Sequence, residues 1–160
     1  GHDYVDLGLS VKWATCNIGA SKPEEYGDYF AWGETEPKES YDINHYSWNF
    51  VDAANAQWGG SWRMPTKGEC DELIDKCTWK WTTVNRVNGY IITAKNGNWI
   101  FLPAAGSRYG SSSYSVGSYG YYWSSTVSYS NYAYFLYFYS SGKNTGNYNR
   151  RGRSVRPVAE

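Results

Sequence analysis

Helical spacing of apolar positions is clearest in "RMPTKGECDELIDKC". There Cys70, Leu73, Ile74 and Cys77 fall at i, i+3, i+4 and i+7, which places them on one face of a helix. Thr66 stands at the N-cap position and Glu69 three residues later, the arrangement of a capping box. The pattern predicts a helix opening at Thr66, its first turn weakened at Gly68 by up to ~1 kcal/mol relative to Ala. A shorter helix is predicted over "DAANAQW", Asp52 to Trp58, ended by Gly59-Gly60.

Elsewhere the pattern is that of strands and turns. Gly89 to Ala94 and Trp99 to Leu102 flank the hairpin dipeptide Asn96-Gly97. "SRYGSSSYSVGSYG", 107–120, is too poor in aliphatic residues for a core and reads as a loop. Strands are predicted again at Tyr121 to Ser125, at Ala133 to Tyr139 and at Ser154 to Val158. Within them "YFLYFY", Tyr134 to Tyr139, has no polar break. Successive strand side chains point to opposite faces, so one face of this strand must offer rings to solvent or to a partner.

Composition sharpens that point. The 160 residues suit one domain with a sizeable core, yet much of the hydrophobic content is 17 Tyr and 9 Trp, and mean hydropathy is −0.66. Eight of the nine Trp precede residue 100, whereas eleven of the seventeen Tyr lie between Tyr109 and Tyr148. The Trp read as architectural and the late Tyr as displayed, since Tyr offers stiff amphipathic contact area.

Charge is uneven beneath a net of zero. Residues 1–75 hold fourteen acids against five Lys/Arg, and residues 76–160 hold ten Lys/Arg against one acid, so no acid occurs between Asp75 and Glu160. Two readings follow: the halves attract each other within the domain, or the second half forms a basic face for an acidic ligand. Neither half carries the Lys/Arg run of a nucleic-acid surface, so nucleic acid is not an expected partner.

Cys16, Cys70 and Cys77 form no CxxC and have no His cluster beside them, so no metal site is expected. On one helix Cys70 and Cys77 lie about 10.5 Å apart along the axis, beyond the roughly 4.4–6.8 Å Cα separation of a disulfide. A disulfide would have to use Cys16; three free, buried thiols are the alternative. No apolar run approaches the ~20 residues of a membrane span, and there is no secretory h-region. Gly1-His2 reads as a tag scar, which leaves room for a signal or anchor ahead of it.

"VDLGLSVKWATCNIGA", "GDYFAWGETEPK", "WGGSWRMPTKGE", "IFLPAAG", "GYYWSST" and "SVRPV" occur in that order. Together they resemble the "major paralogous domain" group of bacterial surface proteins, relatives of the formylglycine-generating-enzyme branch of the C-type lectin fold. The resemblance runs from about Tyr4 to Val158 and implies an α+β, C-type lectin-like domain over 3–158, two helices packed on a twisted antiparallel sheet core. Within that fold the segment of about 121–153 resembles the variable region of diversity-generating retroelement proteins, in which template adenines are randomised. An Asn codon with both adenines randomised can yield Tyr, Ser, Asn, Phe, Arg, Thr, Gly and several others, but not Lys, Glu, Gln, Trp or Met. From Val127 to Arg153 every residue except Lys143 is in the reachable set, which makes Lys143 a fixed position.

The resemblance makes Ala133, Leu136 and Phe138 scaffold positions, and alternation then puts Phe135, Tyr137, Tyr139 and Ser141 on the other face. With Tyr129, Tyr132, Thr145, Tyr148, Asn149, Arg151 and Arg153 they make the candidate ligand-binding surface; Tyr134 stays unassigned. The expected function is a binding module for a protein or a cell-surface glycan, displayed outside the cell or on a phage particle, with no cofactor. An enzyme of the formylglycine-generating type would need a late cysteine pair or a histidine triad, and this chain has neither: all Cys precede residue 78 and the His are His2 and His45. Calcium-dependent sugar binding lacks acids in the late half. A structural or adhesin domain whose rings pack on a neighbour is the third reading.

Overall fold

The computed structural model describes residues 2–42, 49–128, 132–148 and 151–160. It corrects the expected class. The chain is mostly β, with 41% of residues in strands and 11% helical, and its four small antiparallel sheets do not form an α+β core of two helices on one sheet.

The reason lies in the helices. α1 (Ala53–Trp58) is capped by Asp52, whose carboxylate accepts from Asn55 N, and it stops after six residues at Gly59, φ 71°. α2 (Lys67–Lys76) forms around the predicted capping box, with Thr66 Oγ1 accepting from Glu69 N and Glu69 Oε1 from Thr66 N. Its Cys70 and Leu73 are buried, and Cys77 is the C-cap rather than part of the helix. A six-residue helix buries too little to organise a layer, and it is α2 that makes the extensive contacts with β8, β9 and β10.

β1 (Tyr4–Val5) and β2 (Lys12–Ala14) form one sheet with β11 (Val158–Ala159), joining the two ends of the chain. β3 (Thr78–Val84), β4 (Val87–Thr93) and β5 (Trp99–Pro103) form the second. The predicted Asn96-Gly97 hairpin is its β4–β5 edge, while β3 was not foreseen. β3 turns into β4 through Asn85 and Arg86 at φ 47° and 70°, left-handed values that an Asn-Gly signal would normally announce. The stretch read as a loop holds a third, two-stranded sheet of β6 (Ser107–Tyr109) and β7 (Ser112–Tyr114). β7 is exposed along its whole length, so core-forming composition could not reveal it.

The fourth sheet, in order β10-β9-β8, carries the site. β8 (Gly120–Val127) and β9 (Ala133–Tyr139) cover the predicted strands, and β10 (Gly142–Asn147) was hidden by its Gly/Asn composition. Its register places Gly120 and Lys143 opposite Phe138, Tyr121 and Asn144 opposite Tyr137, and Gly142 opposite Tyr139. The predicted strand 154–158 is not formed as one: single bridges pair Gly152 with Arg108, Arg153 with Phe30 and Ser154 with Tyr122, residues 155–157 are irregular, and Val158 opens β11.

Two cores flank this sheet. Tyr122, Leu136 and Phe138 face the larger one, with Cys70 and Leu73 of α2, Tyr90, Ile92 and Leu102 of the β3–β5 sheet, and Trp13. Trp123, Ala133 and Phe135 face the smaller one, with Ile18, Phe30, Trp32, Met64 and Val155. Most polar groups inside are paired: Trp123 Nε1 donates to Phe30 O at 2.8 Å, and Tyr122 Oη to Pro103 O at 2.8 Å, whereas Trp13 Nε1, Ser154 Oγ and the Nε of Arg108 and Arg153 find no partner among the described residues. Arg156, fully buried, donates to Asn17 Oδ1, Ala14 O and Phe101 O.

Candidate functional site

Alternation along β9 separates its rings as expected, but exposure does not follow alternation alone. Leu136 and Phe138 are 0% exposed and Tyr139 is 36% exposed, with Tyr137 half-buried between them. Phe135 shares the face of Tyr137 yet is only 8% exposed, because Trp123 packs edge-on at 6.0 Å and the smaller core closes over it. Its assignment as a displayed residue is therefore corrected. Tyr134 points to α2's side, where Lys67 Nζ stands 5.2 Å above its ring.

Two further assignments change. Thr145 lies opposite Leu136 in the register and its hydroxyl reaches Asp71 Oδ1 of α2 at 3.4 Å, so it belongs to the scaffold side. Arg153 is 2% exposed and forms part of the floor beneath the surface rather than the surface itself. Ser141 is exposed in the β9–β10 turn, and Tyr132 stacks on Tyr148 at 5.9 Å with Tyr148 36% exposed. Tyr129 and Asn149, like His45, lie outside the described residues.

What the fold assembles is a continuous ring surface, part of it unforeseen. Tyr119 stacks on Tyr121 at 5.8 Å and meets Tyr139 at 5.3 Å, and Tyr121 stacks beside Tyr137 at 6.5 Å. At its other end Arg151 lies 5.0 Å from the Tyr109 ring and 5.7 Å from that of Tyr114. Tyr109, Tyr114, Tyr119 and Tyr121 were not among the sequence candidates, although the crowding of Tyr after residue 109 pointed to them.

The rings pack over backbone that has no side chain. A Cβ on Gly142 would meet Tyr139 ring carbons at 3.0 and 3.2 Å, and one on Gly146 would meet Phe135 at 3.2 and 3.4 Å. These glycines give large cross-strand rings a place to lie flat.

Arg153 holds an unusual position. Its guanidinium lies 4.1 Å from the Phe135 ring centre, 4.4 Å from Trp123, 5.5 Å from Tyr121 and 6.0 Å from Tyr148. Nη1 donates to Tyr148 O at 3.2 Å, whereas the buried Nε has no partner among the described residues. Burial, and after it the nearby Arg151 charge, pushes the guanidinium down to about 9. Taking such a charge out of water costs several kcal/mol, of which cation–π contacts return roughly 2. No anion among the described residues offsets the remainder.

Nor do the early acids supply one. Ion pairs among the described residues join Glu34 to Lys38, Arg63 to Glu69 and Glu160, Lys67 to Asp71, and Glu72 to Lys76. All of these cations lie before residue 77, so the reading in which the two halves neutralise each other does not describe the late arginines. Arg108 reaches the carbonyls of Glu39 and Ser111, not a carboxylate.

Among the described residues no group of three or more His, Cys, Asp or Glu is placed to hold a metal ion. All three cysteines are free, and burial pushes the Cys70 and Cys77 thiols up. No described helix is long and apolar enough to cross a membrane.

These features define a mostly β domain with a tyrosine-rich sheet face set over arginine. A family model described as a domain of unknown function (DUF8237) matches residues 71–158, more than half of the chain. The chain belongs to that family, and the matched segment runs from within α2 to β11, so it contains the whole β8–β10 sheet. No curated protein and no solved structure matches the chain significantly.

Proposed function

We propose that this chain is a recognition module whose β8–β9 face, extended by the β6–β7 hairpin and Arg151, binds a protein or a cell-surface glycan. The observation that carries the reading is the contiguous exposed and half-exposed set of Tyr119, Tyr121, Tyr137 and Tyr139 on one side of a sheet whose other side is sealed by α2 and the larger core. Rigid Tyr anchors with Ser and Asn around them give contact area at low entropic cost. Clustered rings on a surface mark interaction sites far more than scattered ones do. Catalysis has little to draw on here, since the described residues of the face include no carboxylate, imidazole or thiol.

Diversification of this face is part of the proposal. Lys143, which a randomised Asn codon cannot yield, lies on the scaffold side, 5.8 Å from the Trp79 ring. That is where a fixed residue belongs if only the opposite face varies. An array of glycans and cell-surface proteins tests the binding reading, probed with wild type and the Tyr137→Ala, Tyr139→Ala double variant. Signals lost in the variant support it, and signals equal in both refute it. The genomic neighbourhood tests diversification. It requires a reverse transcriptase and a near-repeat of the 3′ coding end differing only at adenines, and absence of that repeat leaves an invariant binder.

A further inference from the structure

The recognition reading says where a partner sits but not what it must present. Arg153 narrows that. It is 2% exposed, its Nε is buried without a hydrogen-bond partner among the described residues, and its guanidinium lies against Tyr121 and Tyr148, two rings of the face. Arg151, half-buried, stands between Tyr109 and Tyr114 at the same end. Both are arginines, whose planar fork matches a carboxylate in two parallel hydrogen bonds. In sequence the nearest acids are Asp75 and Glu160. Asp75 lies in the last turn of α2, and Glu160 is paired with Arg63.

The second half of the molecule is thus a positive, ring-lined surface whose countercharge is not among its own described residues. By contrast Arg156, equally buried, has three neutral acceptors from the protein. Burial alone does not explain an arginine left incomplete.

We infer, resting on the recognition reading, that the partner of this face is a protein segment presenting an Asp or Glu carboxylate to the half-buried Arg151, above the buried charge of Arg153, with neighbouring side chains lying on Tyr121, Tyr137 and Tyr139. A protein fits better than a glycan because several rings adjoin on the face: Tyr119 meets Tyr121 and Tyr139 at 5.8 and 5.3 Å, and Tyr121 lies 6.5 Å from Tyr137, a patch on which more than one side chain of a peptide can lie. Tyr and Arg are also the residues that dominate protein–protein hot spots.

The test begins with a phage-displayed random dodecapeptide library selected on the intact chain. Peptides that lose binding to the Tyr137→Ala, Tyr139→Ala variant are synthesised with each Asp or Glu intact and replaced by Asn or Gln. The expected result is one acidic position whose amide replacement weakens binding to wild type by about tenfold or more, as loss of a charge-assisted pair should. The same replacement should matter little for Arg151→Ser and Arg153→Met. Because Arg153→Met can fail to fold, the Arg153 Nε–H resonance of the wild type is followed during titration with the acidic peptide. It should move with that peptide and stay fixed with its amide counterpart.

Face-dependent peptides that bind equally well as amides overturn the carboxylate inference and leave the recognition reading standing. Failure to recover any peptide that depends on Tyr137 and Tyr139, with no face-dependent array signal either, removes both. Arg153-dependent binding of sialylated or sulfated glycans without acidic peptides overturns the choice of a protein partner.

Discussion

Replacing Gly120 by Ala tests whether the register of the β8–β10 sheet is held by a ring lying on bare backbone. Gly120 faces Phe138 across β8 and β9. A Cβ added there would lie 2.5 and 2.6 Å from Phe138 Cε1 and Cε2, and nearer still to Cζ. Carbon atoms rest at about 3.5–4.0 Å, so the ring must move by about 1 Å or more. It has nowhere to go: Phe138 is 0% exposed, with Tyr90 at 5.3 Å, Tyr122 and Trp79 each at 6.0 Å, and Trp81 at 6.5 Å. Gly120 is not among the glycines with positive φ, so the backbone tolerates Ala and the loss is steric.

Overpacking costs about 1–3 kcal/mol, and complete expulsion of a Phe ring about 3–5, against a gain of roughly 0.5–1 for Ala over Gly in a strand. The net expectation is a loss of about 2–4 kcal/mol. With a urea m-value of about 1–3 kcal/mol/M, the midpoint followed by Trp fluorescence falls by roughly 1–2 M. In a Phe138→Leu background, where the shorter side chain vacates the space above residue 120, the same substitution should cost far less. The double-mutant cycle should therefore return a coupling of about 1–3 kcal/mol. Additivity within roughly 0.5 kcal/mol, or a Gly120→Ala protein as stable as wild type, would refute the argument that this contact fixes the register.

Three further outcomes follow from individual sites. Burial pushes the Glu69 carboxyl up, but the Arg63 guanidinium, paired at 2.8 and 2.7 Å, and the Thr66 donors together bring it below its ordinary value. Its contribution is therefore present above the unfolded carboxyl range of about 4.3 and lost as pH falls through the lowered native value. Glu69→Gln should cost about 1–2 kcal/mol at pH 7 in urea melts and show a smaller further loss between pH 5 and 3 than wild type does. Cys70, fully buried with its thiol pushed up, should resist thiol reagents under native conditions and become reactive only at the rate of unfolding, read by mass spectrometry. Thr145→Ala should leave face-dependent array signals unchanged, since Thr145 lies on α2's side of the sheet, whereas Tyr137→Ala should weaken them by about tenfold.

What could be read from the sequence was local. The Thr66–Glu69 box and the spacing of Cys70, Leu73 and Ile74 lie within a dozen residues, and the structure forms that helix with that cap. Asn96-Gly97 announced the β4–β5 turn, and alternation separated Leu136 and Phe138 from Tyr137 and Tyr139. Exposure could not be read in the same way, because what covers a side chain comes from elsewhere in the chain. Phe135 and Arg153 are covered with the help of Phe30, more than a hundred residues earlier. Thr145 was misassigned because β10 had not been recognised as a strand, and without its register no face could be given to its residues. The fold class failed for a related reason: two helical signals were given the weight of a layer, while β3, β6, β7 and β10 had compositions of Trp/Thr, Ser/Tyr and Gly/Asn that a hydrophobic pattern passes over.

The aromatic strand that looked insoluble has a consistent physical explanation in the sheet around it. Six large residues in sequence require two environments, and β9 has a different one on each side. Toward α2, Phe138 lies over Gly120 and is enclosed by other rings. On the opposite side burial fades along the strand, from Phe135 at 8% exposure through half-buried Tyr137 to Tyr139 at 36%. A purely structural sheet would have little reason to end that gradient in tyrosines and to set a buried arginine lacking an acidic partner beneath it. Each choice costs stability that Leu, or a paired acid, would recover. On the recognition reading proposed above, stability given up at one place, with cation and rings converging there, is the cost of a surface kept for contact.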